Sequence, residues 1–123
     1  MTPSHHPVIL CIEDQASPLA LRKLVLEKSG YTVLGAASGK QAFKLLKAFH
    51  VDLVLSDHFL RGELGTAIAA KIKAENPNIP ILLISGMAGG LTGPDSTKHV
   101  DGIIQKDAGP TSLLVSVARA LKL

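Results

Sequence analysis

Asp57 closes the run Val-Asp-Leu-Val-Leu-Ser-Asp at 51–57, an apolar stretch that stops on a bare carboxylate. A second apolar run, Val8–Ile12, stops the same way on Glu13 and Asp14. A charge at a buried strand end needs compensation. Three carboxylates delivered by two strands fit a metal site or a paired-acid site. Two more runs end on useful groups: Pro80–Ile84 on the hydroxyl of Ser85, and Gly102–Gln105 on the amine of Lys106. Carboxylates brought close together repel unless something positive intervenes. A hard divalent cation with oxygen ligands and retained waters suits them, and Mg²⁺ is the default. Lys106 neutralises a further charge and Ser85 offers a donor. Such a set can bind a phosphoryl group and stabilise charge during its transfer. Asp57 is then the nucleophile that accepts the group as an acyl phosphate.

These residues meet only if the elements between them fold correctly. Val8–Ile12 reads as a strand covered on both faces. Ser17-Pro18 predicts a helix start, with Ser17 as N-cap and Pro18 in the first helical position. Leu21, Leu24, Val25 and Lys28 form its stripe and Gly30 ends it. Tyr31–Leu34 is a second strand. Ser38 and Gln41 have capping-box spacing before a helix that buries Ala42, Leu45 and Leu46 and exposes Lys40, Lys44 and Lys47. Leu53–Ser56 is the third strand. Ile68, Ala69 and Ile72 mark a third helix ending near Asn76-Pro77. Pro80–Ile84 is a fourth strand. The segment 86–99, with Gly86, Gly89, Gly90, Gly93 and Pro94, predicts a long loop with at most a short helix at its end. Gly102–Gln105 is the fifth strand. Leu113, Leu114, Val117, Ala118 and Leu121 build a closing helix, with Pro110 near its first turn and Thr111 or Ser112 as cap.

Alternating strands and helices imply a parallel sheet with right-handed crossovers. The fold class is α/β: a doubly wound five-stranded parallel sheet of order 2-1-3-4-5, flavodoxin-like. Strands 1 and 3 are then neighbours, and ligands bind at their C-terminal edge, the topological switch point.

The chain has 123 residues, enough for one domain with a proper core. We expect residues 1–6 to be a flexible tail and 7–123 the domain. The tail lacks the features of a signal peptide, and no apolar run approaches membrane-spanning length. Cys11, the single cysteine, reads as a small core residue, and a cytoplasmic setting fits. Net charge is +3 from 13 basic and 10 acidic residues. Setting aside Lys106 and the three pocket acids leaves 12 basic and 7 acidic residues on the rest of the chain. That excess reads as a solvated lysine-rich surface. Aromatics make up 3% of the residues, too few for base stacking, and direct nucleic-acid binding is not expected.

The ordered set of Glu13-Asp14, Asp57, Gly65, Ser85-Gly86 and Lys106 resembles the receiver domain of two-component response regulators over residues 8–122. The resemblance implies phosphoryl transfer to Asp57 from the phosphohistidine of a histidine kinase or phosphotransfer protein. It implies Mg²⁺ held by Asp14, Asp57 and the backbone carbonyl of Phe59, with Glu13 reaching the metal directly or through water. Ser85 and Lys106 become the phosphoryl-binding and switch residues. It also implies a phosphoryl acceptor rather than an enzyme, a second copy of the chain as a possible partner, and helix 1, with Arg22 and Lys23, as the kinase-docking surface.

Four departures bear on mechanism. Leu60-Arg61 replaces the family's Met-Pro, predicting a less rigid loop. Lys106 is followed by Asp107 where the family has a cis proline, which predicts a trans bond and places Asp107 as a competitor for Lys106. Ile103 stands where receivers often carry a switch aromatic, so output is expected not to use the usual strand-4/strand-5 face in the usual way. Phe59 and Met87 flank the family's path for hydrolytic water and cannot bond strongly to it, predicting slow phosphate loss. Three rivals fit less well. A dehalogenase-type aspartate enzyme wants an aspartate at Phe59. A phosphate loop at Gly35–Gln41 is one residue short and lacks Ser or Thr after Lys40. A pseudo-receiver, an interaction module never phosphorylated, is the alternative.

Overall fold

The computed structural model describes residues 6–86 and 98–123. The calls on the Gly-rich segment and Met87 therefore lie almost wholly outside the described residues, as does the tail apart from an exposed His6. Five parallel strands form the sheet: β1 (Val8–Ile12), β2 (Thr32–Ala36), β3 (Leu53–Asp57), β6 (Ile81–Ser85) and β7 (Gly102–Gln105). Their order is β2-β1-β3-β6-β7. Counting only these five, that is the expected 2-1-3-4-5 order of the flavodoxin-like receiver fold. β4 (Phe59–Leu60) and β5 (Glu63–Leu64) form a separate antiparallel hairpin directly after β3.

Side-chain alternation explains the two covered faces. Ile9, Cys11, Leu53, Leu55, Leu82 and Ile84 face one core with Leu26 of α1 (Ala16–Lys28) and Leu113 and Val117 of α4 (Pro110–Ala120). Leu10, Ile12 and Val54 face the other, against Ala42 of α2 (Gly39–Ala48) and Ile68, Ala69 and Ile72 of α3 (Gly65–Glu75). Each fully buried Leu, Ile or Val contributes about 1.5–3 kcal/mol of transfer free energy.

The helix ends show which local signals hold. Gly30 adopts φ +96 and closes α1: its N–H donates to the Glu27 carbonyl, and that of Tyr31 donates to Leu26. This is the Schellman pattern. Ser38 caps α2 by accepting from the Gln41 N–H, while the Gln41 side chain accepts from Ala37 N–H. Lys40, Lys44 and Lys47 are exposed, as expected.

Three helix expectations need correction. α1 begins at Ala16 with Gln15 as N-cap, so Ser17 does not cap it and Pro18 occupies the third helical position. There its missing N–H still costs nothing, because the first-turn donors lack intrahelical partners. The stripe is also rotated. Leu21 is 62% and Leu24 52% exposed, Lys28 is exposed, and Arg22 and Leu26 are buried. Arg22 turns inward because a carboxylate waits there. In α4, Gly109 (φ +89) is the N-cap and Pro110 the first residue, so Thr111 and Ser112 lie inside the helix and cap nothing.

Candidate functional site

The C-terminal ends of β1, β3, β6 and β7 share one edge of the sheet. Register places Ile12 beside Ser56, Asp57 beside Ile84 and Ser85 beside Gln105. The sheet continues past the strands: Glu13 N–H donates to the Ala36 carbonyl, His58 N–H to Ile84 and Lys106 N–H to Ser85, each at 2.9 Å. The backbone therefore fixes where Glu13, Asp57 and Lys106 emerge.

Asp57 is buried at the end of β3. Its Oδ2 lies 3.5 Å from Lys106 Nζ, whose side chain is 46% exposed. Ser85 is buried at the end of β6. The predicted neutralising lysine thus sits on Asp57. Among the described residues no ion pair joins it to Asp107, and no peptide bond is cis, Lys106–Asp107 included.

Glu13 and Asp14 follow β1 but meet opposite surroundings. Glu13 is buried; its Oε1 accepts from Arg22 Nη1 at 2.9 Å and its Oε2 from the Gln15 N–H at 3.1 Å. Burial pushes the Glu13 carboxyl above its ordinary pKa, opposed by the Gln15 N–H and assisted by the Asp57 charge. Asp14 Oδ2 accepts from the Arg61 N–H at 2.8 Å, and this bond holds its carboxyl below the usual range. The two carboxyls also interact with each other.

Arg61 reaches Asp14 because the loop after Asp57 is the β4–β5 hairpin. Gly62 takes φ +74 in the turn, a conformation Gly adopts freely. Glu63 accepts from the Gly39 N–H at the start of α2, at 3.1 Å. This loop, which lacks Met-Pro, is joined to the residues after β1 through the Arg61 N–H and to α2 through Glu63. Gly65, the next residue after the hairpin, must be small: a Cβ there would collide with the Asp57 carbonyl and stand 2.7 Å from Leu83 Cδ1. Phe59, on the hairpin, is 55% exposed and touches the His58 ring, with centroids 4.4 Å apart.

His58 is buried, and its Nδ1 has no hydrogen-bond partner among the described residues. Burial lowers its pKa, against the Asp57 charge. Cys11 is fully buried as expected, and burial pushes its thiol up to about 11. Arg22 was read as part of a docking surface, but it is buried on Glu13. The only available signal was an arginine on a helix facing a strand that ends in acids. The roles of the Arg61 amide and of Glu63 carried no signal, since a two-residue strand shows no periodicity.

The donors at this edge are all oxygens, which fits a hard divalent cation better than a soft one. Among the described residues no three acidic, imidazole or thiol side chains form one ready ligand group. Arg22 holds Glu13, and the Arg61 N–H holds one oxygen of Asp14. Asp14 and Asp57, with a backbone carbonyl, are the oxygens that would hold such a cation, with waters completing its shell.

The sequence profile of the response regulator receiver domain matches residues 9–118. The autoinducer 1 sensor kinase/phosphatase LuxN of Vibrio harveyi is 33% identical over 107 residues, covering 87% of this chain and 12% of LuxN. The transcriptional regulatory protein ZraR of Escherichia coli K12 is 33% identical over 90 residues, covering 73% of this chain and 20% of ZraR. The chain thus spans only a small part of either relative. The signal receiver domain of an HD domain-containing protein from Pseudomonas fluorescens Pf-5 superposes with a TM-score of 0.88 at 25% identity, covering 96% of each chain. TrrA of Thermotoga maritima, crystallised in complex with Mg²⁺-BeF, gives 0.85 at 24% identity, covering 93% of this chain and 98% of that one, a likeness of fold.

Proposed function

Since the chain belongs to the response regulator receiver domain family, we propose that Asp57 is its phosphoacceptor. Residues 7–123 form the domain on this reading. The observation that carries it is a buried carboxylate at the switch point with Lys106 Nζ at 3.5 Å and the acidic pair of β1 beside it. A carboxylate oxygen of Asp57 attacks the phosphorus of a phosphohistidine. The P–N bond breaks, its electron pair stays on the imidazole nitrogen, and Asp57 becomes an acyl phosphate. Lys106 and Ser85 meet the charge that develops on the phosphoryl oxygens. Asp14, Asp57 and the Phe59 carbonyl would hold Mg²⁺, which would supply further charge neutralisation when bound. Titration of this domain with Mg²⁺ should move the Asp14 and Asp57 amide signals, and a static spectrum would contradict the metal.

The donor is a histidine kinase or phosphotransfer protein in the cytoplasm. Between α1 and α4 runs an apolar groove lined by Leu21, Val25, Ile104, Pro110 and Leu113 that reaches Lys106. A helix carrying the phosphohistidine fits there, with exposed Leu21 as a contact, while the Arg22 head in the same lining is held on Glu13. A Leu21→Glu variant that accepts phosphate from its kinase unimpaired would refute this docking. Among the described residues no helix is long and apolar enough to cross a membrane.

Intact-mass measurement after acetyl phosphate with Mg²⁺ tests the central reading. One added phosphoryl, absent in Asp57→Ala, supports it. No addition to the folded protein contradicts it and leaves the pseudo-receiver. Exposed Phe59 offers no hydrogen bond to an attacking water, so the acyl phosphate decays slowly. Decay unchanged in Phe59→Asn would sink that part.

A further inference from the structure

Resting on the reading of Asp14 and Asp57 as a Mg²⁺ site, we propose that Arg22 is a positioning residue. It holds Glu13 out of the metal's coordination sphere and so sets the affinity for divalent cations.

Both Glu13 oxygens already have protein partners, Oε1 the Arg22 guanidinium and Oε2 the Gln15 N–H. The ion pair is dry, with side chains 10% and 1% exposed. Arg22 stands on a face of α1 otherwise filled by Leu19, Val25 and Leu26, so its stem is packed and its head has one direction to go. For Glu13 to turn onto a cation it must loosen this pair, and a buried guanidinium left without its counter-charge is strongly disfavoured.

Charge leads to the same place. Glu13, Asp14 and Asp57 bring three negative charges, and Arg22, Lys106 and Arg61, whose charge also acts on Asp14, bring three positive ones. Removing Arg22 alone makes the pocket one charge more negative and leaves the Glu13 carboxylate without its counter-charge. Removing both partners of the pair restores the original balance with no ligand lost.

The test is Mg²⁺ titration of the whole domain, without phosphodonor, followed by amide shifts of Asp14 and Asp57. Arg22→Met should bind Mg²⁺ about tenfold more tightly than wild type, as an added nearby charge requires. The double variant Arg22→Met/Glu13→Gln should return to within about twofold of wild type. A double variant weakened tenfold or more would make Glu13 a ligand and overturn the inference. So would a folded Arg22→Met with unchanged or weaker affinity. Where circular dichroism shows Arg22→Met unfolded, the double variant decides alone. A wild type whose spectrum does not respond to Mg²⁺ overturns the metal reading itself; a responsive wild type with the wrong order of variants overturns only the role of Arg22.

Discussion

The β1 side of the pocket and its β7 side are built to different standards. On the β1 side every acid is held: Glu13 by Arg22 and Gln15, Asp14 by the Arg61 amide, and the hairpin carrying Arg61 by Glu63 at the start of α2. On the β7 side a half-exposed Lys106 reaches Asp57 at 3.5 Å, and Ile103 stands exposed where the resemblance implies a switch aromatic. The β1 acids are held by direct hydrogen bonds, and the β7 side by a longer contact. Pairing here follows burial: Glu13 is inside and both its oxygens are bonded, whereas Lys106 is half exposed and holds Asp57 at a longer distance.

The largest expected effect separates the two sides directly. Arg22→Met strands Glu13 in the interior and should lower unfolding free energy by about 3–5 kcal/mol, most of it regained on adding Glu13→Gln. Lys106→Met removes a half-exposed head held at 3.5 Å from buried Asp57, and should cost clearly less than Arg22→Met, whose two partners are both buried. Urea unfolding checks both, and equal losses would erase the contrast.

Next comes the joint between hairpin and α3. Gly65→Ala places a methyl against the Asp57 carbonyl and Leu83, and should cost about 1–3 kcal/mol through overpacking. Unchanged thermal unfolding would mean that the joint between β3, β6 and α3 yields more easily than its contacts imply.

The smallest effect is the pH dependence from His58. Its folded pKa is depressed below the ordinary 6.5, so the unfolded chain takes up protons first as pH falls. The His58 contribution is complete above pH 6.5 and declines below it, as pH falls toward and through the folded value. His58→Leu should flatten this slope and, by removing the unpartnered Nδ1, raise stability at pH 7 by about 1 kcal/mol. An identical slope in variant and wild type would exclude His58 as its source.

The sheet was legible because continuous apolar runs declare a doubly covered strand: Val8–Ile12 and Gly102–Gln105 have the expected bounds. Ser38 was legible because capping is a local interaction. The face of α1 was not. Its leucines suggested one stripe, but the charge on Glu13 recruits Arg22 from a neighbouring one, and periodicity carries no knowledge of a counter-charge on another element. The hairpin at 59–64 was missed for a similar reason. Its stability comes from Asp14 and Gly39, distant in sequence, so the residues themselves read as a loop.

The acyl phosphate on Asp57 can be located chemically. Borohydride converts an acyl phosphate of aspartate to homoserine, and peptide sequencing by mass spectrometry reads its position. After acetyl phosphate and Mg²⁺, homoserine at position 57 and nowhere else is the predicted result. Homoserine at another acidic residue, or none in a protein that has gained a phosphoryl, would contradict the assignment of Asp57.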